Sequence, residues 1–332
     1  MSSVFSKYVI LALTLSLGIT QVSGQTIPER EIHFTKVAEK VCAAGDTLVD
    51  VAEIAEDRLF VASTSALISL SGDQSGIISV FPDTMEIKEL LVVPENPIII
   101  IIATRSRVQG YRWPEMSPVW ERSPGYIEGV TFKDASGLFC SYLMESSEGG
   151  MVKIEEWNTN TGVTRAEIVK VDPTTLLSGT DMLLVAMGVL NKYAQLKPLL
   201  SMFGPIAATG TGLFLSSRAY PVYKRYDYEG TAVAEANYPQ FSQLALPMDD
   251  EKGTTRMERI NQDIDVSPNS VITLTNYDEL RQYLYIFNPD LIPRFRVALP
   301  TGDRYAAIRI VNEETLLLVG KTTIYKGVIP TF

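Results

Sequence analysis

The chain has little of the side-chain chemistry on which most hydrolases and zinc proteins depend. Its 332 residues include a single histidine, His33, and two cysteines, Cys42 and Cys140. A catalytic triad needs a histidine beside its nucleophile, and a lone histidine is more often structural. A zinc site needs several His or Cys ligands at short spacing, and neither cysteine has such a partner. Neither a triad hydrolase nor a zinc protein is therefore expected, and the sequence assigns no catalytic residue.

The two cysteines are predicted to stay unpaired. An even pair in a secreted chain usually indicates a disulfide. Cys42, however, precedes the first of the repeated modules described below, whereas Cys140 lies inside a core strand of the third. We expect the two Cα atoms to be further apart than the roughly 7 Å that a disulfide tolerates.

Long apolar runs are also missing beyond the first 24 residues. Lys7, the apolar stretch 8–19 and the small residues Val22-Ser23-Gly24 are typical of a cleavable signal peptide. The alternative is an uncleaved anchor. We expect a secreted, extracellular and monomeric protein without a membrane span after cleavage, in which residues 25–332 form one domain.

Acidic residues outnumber basic residues, and the formal net charge is −10, so the protein is acidic. Binding to nucleic acid depends on Lys and Arg that neutralise phosphates, so nucleic acid is not an expected partner. An acidic balance otherwise indicates only solubility and a preference for cationic partners.

A short pattern recurs along the chain: a polar turn, then four or five apolar residues that end in a small one. Alignment on this pattern gives seven anchor residues, which are Leu59, Ile100, Leu138, Leu183, Leu213, Ile272 and Leu317. The six intervals average about 43 residues, the length of a four-stranded propeller blade. The sequence therefore predicts an all-β fold, a single β-propeller of seven four-stranded blades. Six blades are the alternative, because the stretch 176–203 has near-helical apolar spacing.

Strand assignments inside the modules follow from this alignment. Residues 49–54, 127–132 and 305–311 are interpreted as first strands, and residues 86–91, 163–169 and 295–299 as fourth strands. The last module lacks a full outer strand, and residues 31–37 form a strand that has no module. Pairing of 31–37 with 323–326 would close the ring and remove an open sheet edge.

Four carboxylates fall where the innermost strands are expected. Asp50 and Asp263 lie nine residues before their anchors, Glu128 lies ten before its anchor, and Asp265 shares the face of Asp263. Convergent carboxylates in a channel suit a hard cation such as Ca²⁺, or a cationic ligand. Alternatively, they are solvated acids at strand ends that accept hydrogen bonds from backbone amides between blades.

The repeat pattern resembles that of secreted β-propellers, including the quinoprotein-like and SMP-30/gluconolactonase-like groups, although signatures of narrower families are absent. The lactonase-like group holds a divalent cation in its channel with Glu, Asn and Asp. The resemblance implies that Glu128 and Asp263 are the positions that match as metal ligands.

Loops between second and third strands, and loops between blades, are expected to share one face, where binding usually resides. They comprise residues 71–75, 145–150, 276–282 and a charged insertion, 247–262. Within the insertion, Asp249, Asp250 and Glu251 could form a partner-binding projection with Arg256 and Arg259, or a plain surface loop.

Two functions follow from these predictions. The first is a secreted propeller that binds a protein, glycan or small molecule on its loop face or in its channel. The alternative is a divalent-metal-dependent hydrolase of lactonase type that uses the channel carboxylates, one of them as general base.

Overall fold

Six four-stranded antiparallel sheets surround a central channel, so the fold is a single all-β propeller. The computed structural model describes residues 27–55, 58–71, 74–81, 86–93, 97–146, 149–171, 201–244, 248–249, 255–256 and 259–330. The predicted signal peptide lies outside these residues. Within the described part of the chain, no helix is long and apolar enough to cross a membrane.

Each blade takes its strands in chain order from the channel outwards. Blade 1 follows a single preceding strand, β1 (Phe34–Glu39), and consists of β2 (Leu48–Ala55), β3 (Arg58–Ser63), β4 (Ala66–Ser71) and β5 (Gln74–Val80). Blade 2 consists of β6 (Ile87–Val93), β7 (Ile99–Thr104), β8 (Val108–Arg112) and β9 (Ser117–Arg122). Blade 3 consists of β10 (Tyr126–Asp134), β11 (Gly137–Ser146), β12 (Gly149–Asn158) and β13 (Thr164–Val171).

The second half of the chain repeats this order. Blade 4 consists of β14 (Ile206–Thr209), β15 (Gly212–Ser216), β16 (Val222–Tyr226) and β17 (Ala232–Asn237), followed by a 3₁₀ turn at Pro239–Phe241. A small hairpin, β18 (Met248–Asp249) with β19 (Thr255–Arg256), precedes blade 5, which consists of β20 (Asn261–Val266), β21 (Val271–Asn276), β22 (Gln282–Phe287) and β23 (Pro293–Ala298). Blade 6 consists of β24 (Ala307–Asn312), β25 (Thr315–Val319), β26 (Thr323–Val328) and β1.

The prediction of seven blades was wrong, and the alternative of six is correct. Six of the seven anchors lie in second strands, whereas Leu183 and most of 176–203 lie outside the described residues. No blade separates blades 3 and 4, because their inner strands β10 and β14 are in contact. A Cβ atom on Gly129 of β10 would lie 2.9 Å from the backbone nitrogen of Ile206 in β14. Glycine permits this close approach.

The predicted ring closure is confirmed. Strand β1 pairs antiparallel with β26, with Phe34 opposite Gly327 and Glu39 opposite Thr323. The strand begins three residues later than expected, so His33 precedes it. Closure leaves β26 with a partner on each side, and β1 becomes the outer edge of blade 6.

One strand assignment was wrong in a way that matters for the channel. Residues 86–91 were interpreted as the outer strand of blade 1, but β5 fills that place, and 87–93 form the inner strand of blade 2. Leu90 and Val92 of this strand are buried against blade 1. The three predicted first strands, in contrast, match β2, β10 and β24.

Apolar layers between neighbouring blades form the core. The run Ile99–Thr104 shows why the anchors are continuously apolar: Ile100 and Ile102 pack against blade 1, whereas Ile99 and Ile101 pack against blade 3. A strand buried on both faces needs apolar residues at every position. Both cysteines are free, as predicted, with Cys140 buried in the layer between blades 2 and 3.

Candidate functional site in the central channel

Charged side chains line the channel, and they come from five of the six innermost strands. The strand of blade 4 is the exception, because its residues Ile206-Ala207-Ala208 present apolar and small side chains. The other five contribute Asp50, Glu89, Glu128, Asp263 with Asp265, and Arg309. All four carboxylates predicted as channel residues therefore lie on innermost strands, although Asp50 and Glu128 are buried and line neither cavity described below. The sequence interpretation missed Glu89 and Arg309, and also Lys88 and Glu53, which line the cavities from innermost strands.

Most of these carboxylates join neighbouring blades by accepting backbone hydrogen bonds. The amide of Leu90 donates to Asp50 over 2.8 Å, and that of Val130 donates to Glu89 over 2.5 Å. Two further bonds of this kind run from blade 6 to blade 5, from Ile308 to Asp263 at 2.9 Å and from Ile310 to Asp265 at 2.6 Å. Inner strands of adjacent blades share no ladder, so these buried amides need acceptors from elsewhere. The alternative considered above was therefore right about the backbone amides but wrong about solvation, because Asp50, Glu128 and Asp263 are buried.

Arg309 bridges two of these acids across the channel. Its Nη2 donates to Asp50 over 2.5 Å, and its Nη1 donates to Asp263 over 2.8 Å. Burial lowers the pKa of Arg309, but the surrounding carboxylates outweigh burial and raise it well above the ordinary value. The guanidinium therefore stays charged and neutralises part of the acidic cluster.

Three carboxyl groups have raised pKa values because the channel withdraws them from water. Burial, reinforced by the negative charge of Asp263, raises the pKa of Glu89 to about 8. Burial also raises the pKa values of Asp50 and Asp265 to about 6, although Arg309 opposes the shift in both cases. Glu89 is therefore mainly protonated at neutral pH, and it can both accept and donate a hydrogen bond.

The channel contains two cavities. The larger, about 370 Å³, lies towards the ends of the inner strands, and the smaller, about 180 Å³, lies where these strands begin. Glu89, Asp263 and Arg309 line both cavities, so this charged layer separates them. Arg105 and Arg218, from loops between second and third strands, and Arg259, from the connection into blade 5, reach the smaller cavity. The loop classes predicted to share a face therefore meet there.

Apolar groups form about half of the exposed wall of the larger cavity. They include Val51, Leu91, Phe132, Ile206, Ala208 and Ile310. Its polar groups are those of the dividing layer together with Asp265, Glu53 and Thr131. The cavity thus combines apolar surface with a carboxylate-rich floor.

Basic side chains dominate the smaller cavity. The carboxylate of Glu128 is fully buried and contacts three cations: Arg218 at 2.8 Å, Arg259 at 3.0 Å and Lys88 at 3.5 Å. The Tyr126 hydroxyl accepts hydrogen bonds from Arg218 at 3.0 Å and from Lys88 at 3.2 Å. Burial raises the pKa of Tyr126, but the bond from Arg218 and the nearby positive charges outweigh burial and lower it.

The residues present do not fit a divalent cation at the predicted ligands. Glu128 is already neutralised by three basic side chains, and Asp263 by Arg309. Among the described residues, no three His, Cys, Asp or Glu side chains are grouped as a metal site requires. A cation such as Ca²⁺ would have to displace these basic groups, which supply the positive charge that a metal would bring.

The predicted loop projection is described only in part. Asp249 lies in β18 and Arg256 in β19, whereas Asp250 and Glu251 lie outside the described residues. Arg259, interpreted as part of this projection, instead donates to Gln262 and contacts Glu128 at the channel.

Glu89 and Arg309 had a weak signal in the sequence. Arg309 lies eight residues before the anchor Leu317 and Glu89 eleven before Ile100, close to the offsets of nine and ten that identified the other acids. An interpretation that allowed basic residues and wider offsets would have included both. Lys88 and Arg218 had no such signal.

Comparison with known proteins shows a likeness of fold. No family model matches the chain, and no curated protein matches its sequence. The X-ray structure of a protein described as a "putative gluconolactonase" aligns with a TM-score of 0.52 over 94% of this chain and 97% of that one, at 10% identity. The crystal structure of BBS1N in complex with ARL6DN, soaked with mercury, aligns with a TM-score of 0.44 over 82% of this chain and 75% of that one, at 12% identity. The first comparison supports the propeller fold alone.

Proposed function

We propose that the protein binds a small organic molecule in the larger cavity of its channel. The observation that carries this proposal is the cavity itself, which combines about 370 Å³ of space with a wall of mixed apolar and polar groups and a carboxylate-rich floor. Small-molecule sites typically have this size and composition, with a few convergent polar groups that fix the orientation of the ligand.

The floor defines the polar end of the ligand. Asp265, Asp263 and Glu89 offer acceptor oxygens, and the only cation lining this cavity within the described residues, Arg309, is already paired with Asp50 and Asp263. A group that donates hydrogen bonds, such as a hydroxyl or an ammonium, therefore suits the floor, and a compact apolar body suits the wall. A carboxylate at this end would be repelled.

A fragment screen tests this proposal. We would follow binding of small apolar amines, alcohols and acids by ligand-observed NMR, using the natural chain, Ala208→Leu, which fills the cavity, and Ala232→Leu, an exposed substitution on an outer strand. Amines or alcohols should bind the natural chain and Ala232→Leu, but not Ala208→Leu. Absence of binding, or equal binding by all three proteins, would contradict the proposal.

A lactonase-type hydrolase is the second candidate, suggested by the likeness in fold to a protein described as a putative gluconolactonase. Its polar groups would be Asp265, which accepts a proton from the attacking water, and protonated Glu89, which donates one to the departing ring oxygen. Water adds to the carbonyl carbon, the ring C–O bond breaks, and a hydroxy acid results. No step in this scheme uses a divalent cation.

Hydrolysis of simple γ- and δ-lactones separates the two functions. A hydrolase should release acid, measured by pH-stat titration, and Glu89→Gln should abolish turnover while leaving fragment binding intact. Glu279→Gln, an exposed change of the same kind, should have no effect. Fragment binding by the natural chain without release of acid would leave the binding function alone.

A further inference from the structure

We propose that the smaller cavity is a separate site for a small oxyanion, such as a carboxylate or phosphate group. This site differs from the one proposed above in position and in charge. The larger cavity presents mainly carboxylates, whereas the smaller is lined by Lys88, Arg105, Arg218, Arg259 and Arg309.

The charges of the smaller cavity do not cancel. Arg105 pairs with Glu86 at 2.9 Å, and Arg309 pairs with Asp50 and Asp263. The remaining three cations, Lys88, Arg218 and Arg259, share one carboxylate, Glu128, as their ion-pair partner within the described residues. Arg309 with its two carboxylates carries one excess negative charge, and the other three cations with Glu128 carry two excess positive charges. The groups counted here therefore leave a net surplus of one positive charge beside an open volume of about 180 Å³. In a cleft with protein walls, such a surplus attracts an anion more strongly than it would on an open surface.

One hydrogen-bond donor of this basic cluster also lacks an acceptor. Nε of Arg218 is buried and has no hydrogen-bond partner in the described part of the chain. This unsatisfied donor costs free energy, and it shows that Glu128 and Tyr126 do not use every N–H group of Arg218. The planar array of guanidinium N–H groups matches the oxygens of a carboxylate or phosphate.

The lowered pKa of Tyr126 is consistent with this interpretation. Its phenol lines the smaller cavity and, although partly buried, responds to the positive charges of Arg218 and Lys88. The charged layer of Glu89, Asp263 and Arg309 keeps this site apart from the larger cavity, so either site can exist without the other.

Glu128 would compete with a bound anion for the same basic side chains. Its carboxylate already satisfies part of the three-cation cluster, so a bound anion shares these donors with it. Replacement by the neutral amide in Glu128→Gln should therefore strengthen anion binding, whereas loss of a cation in Lys88→Gln or Arg259→Gln should weaken it. A purely structural ion cluster would give no such opposite changes.

Calorimetric titration with inorganic phosphate, and separately with acetate, tests the proposal. Ionic strength is held constant with sodium chloride. We expect saturable one-to-one binding of at least one of the two anions by the natural chain. Lys88→Gln and Arg259→Gln should each bind about tenfold more weakly, the effect of losing one charge-assisted hydrogen bond, and Glu128→Gln about tenfold more tightly. The relative affinity for phosphate and acetate identifies the preferred oxyanion.

Arg165→Gln is the matched control, because Arg165 lines neither cavity and lies 3.6 Å from Glu156 on blade 3. It should leave anion affinity unchanged. Circular dichroism verifies that each variant is folded. Should a variant unfold, the NMR resonance of Arg218 Nε in the natural chain provides a second readout, which should shift saturably on addition of the anion. The proposal is overturned if neither anion shifts this resonance or binds saturably, or if Arg165→Gln weakens binding as much as Lys88→Gln.

Discussion

Asp50 and Arg309 form an ion pair between the first and the last innermost strands, although 259 residues separate them in the sequence. The pair exists because the ring closes: β2 and β24 become neighbours only when blade 6 meets blade 1. Arg309 also pairs with Asp263 of blade 5, so one side chain ties three blades together.

Loss of this arginine should be strongly destabilising. Arg309→Met keeps most of the side-chain volume but leaves Asp50 and Asp263 without their cation. Removal of one partner from a buried ion pair typically costs about 3–5 kcal/mol. Urea unfolding should show this loss, whereas Arg304→Met, an exposed change nearby, should unfold like the natural chain. Equal stability of both variants would contradict a buried role for the cluster.

Thermal stability should fall as the pH rises from about 6 to 8. Glu89 has a native pKa of about 8, and Asp50 and Asp265 have values of about 6, all above those of the unfolded chain. The folded state therefore binds more protons than the unfolded state, and the resulting stabilisation is lost as pH rises through the native pKa values. Melting temperatures measured between pH 5 and pH 9 test this directly.

Glu89→Gln supplies the variant for that measurement. An amide cannot ionise, so the melting temperature of this variant should change less between pH 6 and pH 8 than that of the natural chain. Glu279→Gln should keep the natural profile, because Glu279 is exposed on a loop. An unaltered profile in Glu89→Gln would assign the pH dependence to other groups.

Ring closure should be essential for a soluble monomer. A chain that begins at Lys40 lacks β1 and exposes one edge of β26. We expect concentration-dependent association, because the truncation leaves the β26 edge unpaired and also uncovers the apolar clusters against which Phe34 and Ala38 pack. Light scattering should detect it, while a chain that begins at Ile27 and retains β1 stays monodisperse. A monodisperse chain without β1 would show that closure does not protect this edge.

The contact between blades 3 and 4 should depend on Gly129. A methyl group at this position meets the Ile206 backbone at 2.9 Å, so Gly129→Ala should force the blades apart at a cost of about 1–3 kcal/mol. Gly76→Ala is the control, since nothing lies within 4 Å of a Cβ atom there. Chemical unfolding of both variants gives the comparison, and equal midpoints would refute the close approach.

The sequence predicts the radial fold well because burial on both faces leaves a clear trace. Runs such as Ile99–Thr104 are apolar at every position, and six of seven such anchors mark second strands. The blade number was predicted less well, because Leu183 has the same local pattern and only long-range contacts between β10 and β14 decide whether it starts a blade.

For a similar reason, only some residues of the site were predicted from the sequence. Asp50 and Asp263 lie at a fixed distance from their anchors, so the repeat locates them. Lys88, Arg218 and Arg259 meet Glu128 from three places far apart in the chain, two of them outside strands, and no spacing rule connects them. Site residues at fixed positions in the repeat can be predicted from the sequence, whereas site residues that loops bring together cannot.

The layer formed by Glu89, Asp263 and Arg309 also determines how molecules can reach the axis. Because the three side chains line both cavities, a molecule bound in either cavity would contact this layer. The two cavities lie on opposite sides of this layer. Two different molecules could therefore be held at once, one on each face, without competing for the same entrance.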